Sequence, residues 1–317
     1  MLRLTSTYTN RVLLAGLFAL LVVGCSVSSS SARLVSKHTI FLSQQEPVMG
    51  QDSLTLVSLN MAHGRADSFS QVFLSGEEIT SNLSEISNFL ESTNADLVAL
   101  QELDGPSSWS GNFSHNDYLA ATAGYAHSIR SDYVDQPWGQ YGSGVLSKLP
   151  VKESFGAVFS SAFPSPDKGF TLAEVRWLLP DGDTVNVDVV SVHLDFSRSS
   201  VREQQIQELT DTLKDRNNPR ILMGDFNSDW LGSELTLKTL SQGASVHTFE
   251  PDSTSLVTYG DRRLDWILLS PELEFVDYHH SDKIMSDHLA IVARVRLKPE
   301  DGNTGPVAPT LAAQEQL

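Results

Sequence analysis

With 317 residues, 40% of them hydrophobic and 19% charged, the chain has enough apolar material for one large packed domain and too much for a disordered or collagen-like polymer. Its 22 Lys and Arg against 39 Asp and Glu leave a formal charge of -17, which repels polyanions at long range and excludes a dedicated nucleic-acid packaging role. One cysteine excludes an intramolecular disulfide and the Cys-based zinc sites, so any metal must be held by oxygen or imidazole.

At the N-terminus, Arg3 and Arg11 precede or flank an apolar run over residues 12–23 that contains no acid. Its length suits the core of a signal peptide and is short for a bilayer-spanning helix, a short anchor being the alternative. Val22-Val23-Gly24-Cys25 resembles a bacterial lipobox, which is cleaved before its cysteine; Cys25 is therefore the expected lipidation site, with residues 1–24 removed. The Ser-rich stretch 25–51 has no clear apolar period and reads as a flexible linker. A catalytic domain is expected over 52–298, followed by a disordered tail of Pro, Gly and small residues over 299–317.

Within the domain, β-type runs recur at 54–59, 96–100, 184–194, 221–223, 265–269 and 290–297. Ile79, Leu83, Ile86 and Leu90 share one helical face, as do Val201, Ile206, Leu209 and Leu213 in a segment opened by Ser199 and Ser200. Residues 180–183, Pro-Asp-Gly-Asp, read as a hairpin turn between 172–179 and 184–194. The mixture points to layered mixed sheets with helices outside.

Polar residues interrupt these runs at their ends. The first run stops at Asn60, and the second emerges onto Gln101 and Glu102; each alone also fits a turn or a solvated strand end. After the run at 221–223, Gly224 permits tight backbone geometry, and Asp225 and Asn227, two apart, point the same way if the chain is extended. Asp265 sits in an otherwise apolar strand, where a lone buried carboxylate is costly and calls for a partner. Asp287 and His288 stand just before the last run, and an Asp to His pair would satisfy both needs.

Taken in order, Asn60, Gln101-Glu102, Gly224-Asp225-Phe226-Asn227, Leu264-Asp265-Trp266-Ile267 and Ser286-Asp287-His288 resemble the endonuclease/exonuclease/phosphatase superfamily over nearly all of residues 52–297. That superfamily of metal-dependent phosphoester hydrolases includes pancreatic deoxyribonuclease, abasic-site endonucleases, neutral sphingomyelinases and inositol-polyphosphate phosphatases. His193, at the end of Val190-Ser-Val-His-Leu194, and the run Tyr141-Gly-Ser-Gly-Val-Leu-Ser147 resemble further family features, and Asn60-Met-Ala-His63-Gly64-Arg65 is similar to a variant found in some members. The resemblance implies an α+β fold, a four-layer α/β sandwich of two mixed, mainly antiparallel sheets flanked by helices.

Phosphoester hydrolysis needs its negative charge neutralised, a water aligned in line and a donor for the developing oxyanion. The resemblance implies Glu102, Asn60 and Asp287 as oxygen ligands for Mg²⁺ or Mn²⁺, a small hard cation held by few protein carboxylates. Asp265 would orient His288, Asp225 or His288 would serve as base, Asn227 would position the water, and a protonated His193 would stabilise the transition state. Trp109, Trp138, Trp177 and Trp230 read as packing or loop anchors, His279 and His280 as a solvated loop, and Arg198, Arg202, Lys214, Arg216 and Arg220 as a charged solvent face. The function expected is an exported, lipid-anchored phosphoester hydrolase of the bacterial cell envelope, extracytoplasmic, acting on a small or membrane-borne phosphodiester or phosphomonoester. An extracytoplasmic nuclease and a non-catalytic binding lipoprotein on the same scaffold are the alternatives.

Overall fold

The computed structural model describes residues 31–35, 37–41 and 49–299; the expected signal peptide, Cys25 and residues 300–317 of the expected tail lie outside the described residues. In chain order these residues form β1 (Arg33–Val35), β2 (Lys37–Phe41), β3 (Leu54–Asn60), α1 (Gly76–Thr93), β4 (Leu97–Asp104), α2 (His115–Thr122), β5 (His127–Gln136), β6 (Gly139–Ser147) and β7 (Val151–Val158). There follow β8 (Gly169–Leu178), β9 (Thr184–His193), α3 (Ser199–Leu213), β10 (Arg220–Asp225), α4 (Thr236–Gly243), β11 (His247–Thr248), β12 (Asp265–Leu269), β13 (Leu273–His280) and β14 (Ile291–Leu297).

The described strands make two seven-stranded sheets, ordered β1-β7-β8-β9-β10-β12-β11 and β13-β14-β3-β4-β6-β5-β2. Their pairings are antiparallel except β3 with β4 and β9 with β10. Alternate residues of the central strands, such as Leu54 and Leu56, Leu97 and Ala99, Val187 and Val189, Ile221 and Met223, and Ile267 and Leu269, form one core between the sheets. The opposite faces carry the helices. Val57, Leu59, Val98 and Leu100 pack on Ile79, Leu83, Ile86 and Leu90 of α1 and Leu119 of α2, while Val190, Val192, Leu222 and Leu268 pack on Ile206, Leu209 and Leu213 of α3 and Leu237 and Leu240 of α4. This is the four-layer sandwich, and burial on both faces explains why its inner strands read as near-continuous apolar runs.

Local chemistry sets the element ends. Ser75 caps α1, its side chain accepting from the Glu78 amide while Glu78 returns a bond to the Ser75 amide, and left-handed Asn94 closes the helix. The turn at 180–183 joins Leu178 to Thr184 in register, with the Leu179 amide bonded to the Asp183 carbonyl. Trp177 and Trp230 pack as expected, Trp177 in the central core and Trp230 against Trp266.

Three expectations change. β1 and β2 lie inside the stretch expected as a linker and pair with β7 and β5, each at the edge of one of the two sheets. Their order comes from backbone bonds to distant partners, which local composition does not display. The arginines expected on a solvent face are largely engaged: Arg202 binds Glu234 and the Asp195 carbonyl, and Arg216 binds Asp188 and Glu174, tying the end of α3 to β8 and β9. His279 and His280 belong to edge strand β13, not to a loop.

Close packing of β9 on β10 makes Gly224 a sensitive position, since a Cβ there would stand 1.9 Å from the Val192 carbonyl oxygen and its φ is 150°. Gly224→Ala should lower the urea unfolding midpoint, at a cost of about 1–3 kcal/mol from overpacking. A midpoint equal to wild type would contradict this packing.

Candidate active site

The alternation that fills the core also builds the site. Continued by two residues, the inward faces run from Leu56 through Ser58 to Asn60, from Ala99 to Gln101, from Val189 through Ser191 to His193, and from Met223 to Asp225. On antiparallel β12 the same face runs from Ile267 back to Asp265, which stands directly opposite Asp225. Cross-sheet bonds close this polar end: Gln101 Nε2 donates to Ser191 Oγ at 3.0 Å, and Asn60 Nδ2 donates to Asp225 Oδ2 at 3.0 Å.

Asp265 is fully buried and meets the partner its burial requires, its Oδ2 lying 2.8 Å from His288 Nδ1. Thr258 Oγ1 accepts from the Asp265 amide, and Tyr259 packs on the His288 ring at 4.7 Å. Burial alone would depress the His288 imidazolium, but the Asp265 carboxylate and its hydrogen bond, helped by Asp225 and Asp287, outweigh it and hold the pKa at about 10. His288 Nε2 lies 4.0 Å from Asp225 Oδ2. Asp225, buried and facing the Asp265 charge, is pushed up to about 6 despite bonds from Asn60 and the Asn227 amide. Asn227, at φ 49°, divides its side-chain donors between Asp225 and the Leu194 carbonyl.

Glu102 reaches the same space by a different device. It is the extra residue of a bulge between β4 and β6, with φ at 46°, so it escapes the alternation that would otherwise turn it toward α1. Its carboxylate faces His63 Nε2 at 3.5 Å and Lys168 Nζ at 3.9 Å. Burial alone would raise the acid, yet His63 and Lys168, with His288 beyond them, hold it at about 2. Lys168, itself buried just before β8, also lies 3.0 Å from His193 Nε2. Burial and this lysine hold His193 well below the usual imidazole value.

Asn60, Glu102, Lys168, His193, Asp225, Asn227, Asp287 and His288 all line one pocket of about 280 Å³, together with Arg65, Phe196, Tyr259, Arg262 and Leu264. Two donor sets face it. Asp225, Asp265 and His288 offer ligand atoms within 4.8 Å of one another, but Asp265 and His288 already share a hydrogen bond, and a cation there would have to displace a proton held at about 10. The oxygens of Glu102, Asn60 and Asp287 fit a hard divalent cation better. Glu102 is ionised, Asp287 pairs with Arg65 at 2.5 Å, and Asn60 Oδ1, which accepts from the Ala62 amide, has a second lone pair.

The sequence profile of the Endonuclease/Exonuclease/phosphatase family matches residues 57–288. The chain belongs to this family. No curated protein matches it closely enough to count as a relative. Solved structures similar to it include an endonuclease/exonuclease/phosphatase from Beutenbergia cavernae, with 21% identity over 78% of this chain and 72% of that one and a TM-score of 0.60. One from Bacteroides vulgatus is 14% identical over 78% and 100% of the two chains, with a TM-score of 0.62. D. rerio TDP2 complexed with single strand DNA product is 15% identical over 78% and 100%, with a TM-score of 0.57. At these identities the likeness is one of fold, and phosphoester hydrolysis is the chemistry of this endonuclease/exonuclease/phosphatase family.

All eight residues expected for catalysis or metal binding meet at this one pocket, seven of them on its wall and Asp265 behind His288. Lys168 was not legible. A single lysine before a glycine carries no local signal, and its burial between Glu102 and His193 appears only when three strands come together. If Asp265 sets the charge on His288, the His288 ring protons should show no titration by NMR between about pH 6 and 8, and Asp265→Asn should bring the transition down to near or below the ordinary histidine range. A wild-type ring that titrates near 6.5 would contradict the pairing.

Proposed function

We propose that this protein is an exported, lipid-anchored hydrolase of phosphoester bonds that works with Mg²⁺ or Mn²⁺ on a small or membrane-borne phosphodiester or phosphomonoester. The observation that carries the reading is Asp225 standing 4.0 Å from His288, itself bonded to the buried Asp265, on the wall of one polar pocket; Asp225 is raised to about 6 and His288 to about 10. A carboxylate with that pKa is ionised at neutral pH and still basic enough to take a proton from water. His288, charged at the same pH, cannot act as the base; it donates to a phosphoryl oxygen instead. This favours Asp225 as base, with Asn60 and Asn227 fixing its orientation.

Glu102, Asn60 and Asp287 would hold the divalent cation, which when bound neutralises charge on the phosphoester oxygens. Lys168, between Glu102 and His193, adds a second donor on that side of the pocket. The volume of about 280 Å³ is at the small end of ligand sites and suits one phosphoryl group with part of its alcohol. The formal charge of -17 disfavours long polyanions, although the likeness to a structure holding a single strand DNA product keeps a nuclease as the second reading. Export and anchoring rest on the signal-like N-terminus and Cys25, and bacterial envelope localisation rests on them too.

Product release from a phosphodiester, a phosphomonoester and a single-stranded oligonucleotide, with Mg²⁺ and after chelation, tests the activity. Metal-dependent release from the small esters supports the first reading, preference for the oligonucleotide supports the nuclease, and no release from any supports a binding lipoprotein. Asp225→Asn should cut turnover about 10²–10⁴-fold, the usual worth of a general base. Glu102→Gln should raise the Mg²⁺ concentration needed for half-maximal rate, because an amide is a poorer ligand for a hard cation; unchanged metal dependence removes Glu102 from the site. Mass spectrometry should find a lipidated Cys25 at the mature N-terminus and an unlipidated precursor in Cys25→Ser. A mature terminus away from Cys25 would leave secretion without an anchor.

A further inference from the structure

Asp104 ends β4, is fully buried and takes no part in the chemistry above. A buried carboxylate needs donors, and each of its oxygens has one ring nitrogen. Oδ2 accepts from Trp109 Nε1 at 2.7 Å, and Oδ1 lies 2.6 Å from His63 Nδ1. The His63 ring is wedged edge-on against Tyr141 at 4.9 Å and Trp109 at 5.7 Å, which leaves it one orientation. In that orientation Nε2 faces Glu102 Oε2 at 3.5 Å. His63 also holds a left-handed backbone at φ 58°, a conformation that a residue with a side chain adopts at a cost unless its surroundings require it. A carboxylate thus stands at each ring nitrogen, Asp104 at Nδ1 and Glu102 at Nε2.

We propose that Trp109, Asp104 and His63 form a relay that fixes the Glu102 carboxylate for binding a divalent cation, which makes His63 a positioning residue of the metal site. The inference rests on Glu102 being a metal ligand. Glu102 lies on a bulge, without the regular strand pairing that fixes Asp225 and Asp265, so its direction must be set by side chains. Partners that orient a metal ligand are worth about 10–100-fold in metal affinity. Asp104 orients His63 as Asp265 orients His288, so a carboxylate to histidine pair stands on either side of the pocket.

Calorimetric titration with Mn²⁺, without substrate, tests the relay. His63→Ala should weaken Mn²⁺ binding about 10–100-fold. His63→Gln, which keeps a donor within reach of Glu102, should recover part of the loss. Trp109→Phe keeps an aromatic ring and removes the outermost donor, so it should weaken binding less but in the same direction; it carries the test alone if near-ultraviolet circular dichroism shows His63→Ala misfolded. Wild-type Mn²⁺ affinity in a folded His63→Ala, or in Trp109→Phe where that variant stands alone, overturns the relay while leaving Glu102 as a ligand. A wild-type protein that binds no Mn²⁺ overturns the metal reading of Glu102 itself.

Discussion

Asp225 and Asp265 face each other directly across the β10 and β12 pairing, both buried, and two carboxylates so placed repel. The arrangement holds together because His288 supplies the compensating positive charge. Its Nδ1 meets Asp265 at 2.8 Å and its Nε2 points back toward Asp225 at 4.0 Å. Burial and the repulsion that remains raise Asp225 to about 6, and the attraction, working against burial, raises His288 to about 10. One buried charge balance thus prepares a basic carboxylate and an acidic imidazolium side by side. Removing either partner of the Asp265 pair would leave an uncompensated buried charge, so the same contact also supports the local fold.

The rest of the fold serves to bring these groups together without exposing the core. Two-residue alternation makes one strand face apolar through the middle of the sandwich and polar at one end, so core and site are parts of the same pattern. Four departures from regular backbone stand at that end. Glu102 at φ 46°, Asn227 at φ 49°, His63 at φ 58° and Gly224 at φ 150° all lie beside the pocket. Three of these carry side chains in a conformation usually left to glycine, which locates local strain where side chains must be aimed and not merely packed.

Much of this could be read from the chain itself. An acid inside the apolar run at 265–269 demanded a partner, and the Asp287-His288 pair before the last strand offered one; the two meet as required. The apolar faces of α1 and the inner strands were equally plain, because burial on one or two faces leaves a period in the sequence. Where the determining contact is distant, the sequence was silent. β1 and β2 are short, partly polar edges held by β7 and β5, and α2 is a short helix with little apolar period of its own. Lys168 gains its meaning only from Glu102 and His193, and the lowered pKa of His193 follows from burial and Lys168. Arg216 could not be told from a solvated cation until Asp188 and Glu174 were seen beneath it.

The charge balance at Asp225, Asp265 and His288 is most directly tested by the pH dependence of phosphoester hydrolysis at saturating Mg²⁺, compared between the wild type and Asp265→Asn. The wild-type rate should rise as Asp225 loses its proton near about 6 and fall as His288 loses its own near about 10. In Asp265→Asn the alkaline fall should move to lower pH and the maximum should shrink, because His288 no longer has the carboxylate that holds its proton. An alkaline limb at the same pH in both proteins would contradict the account.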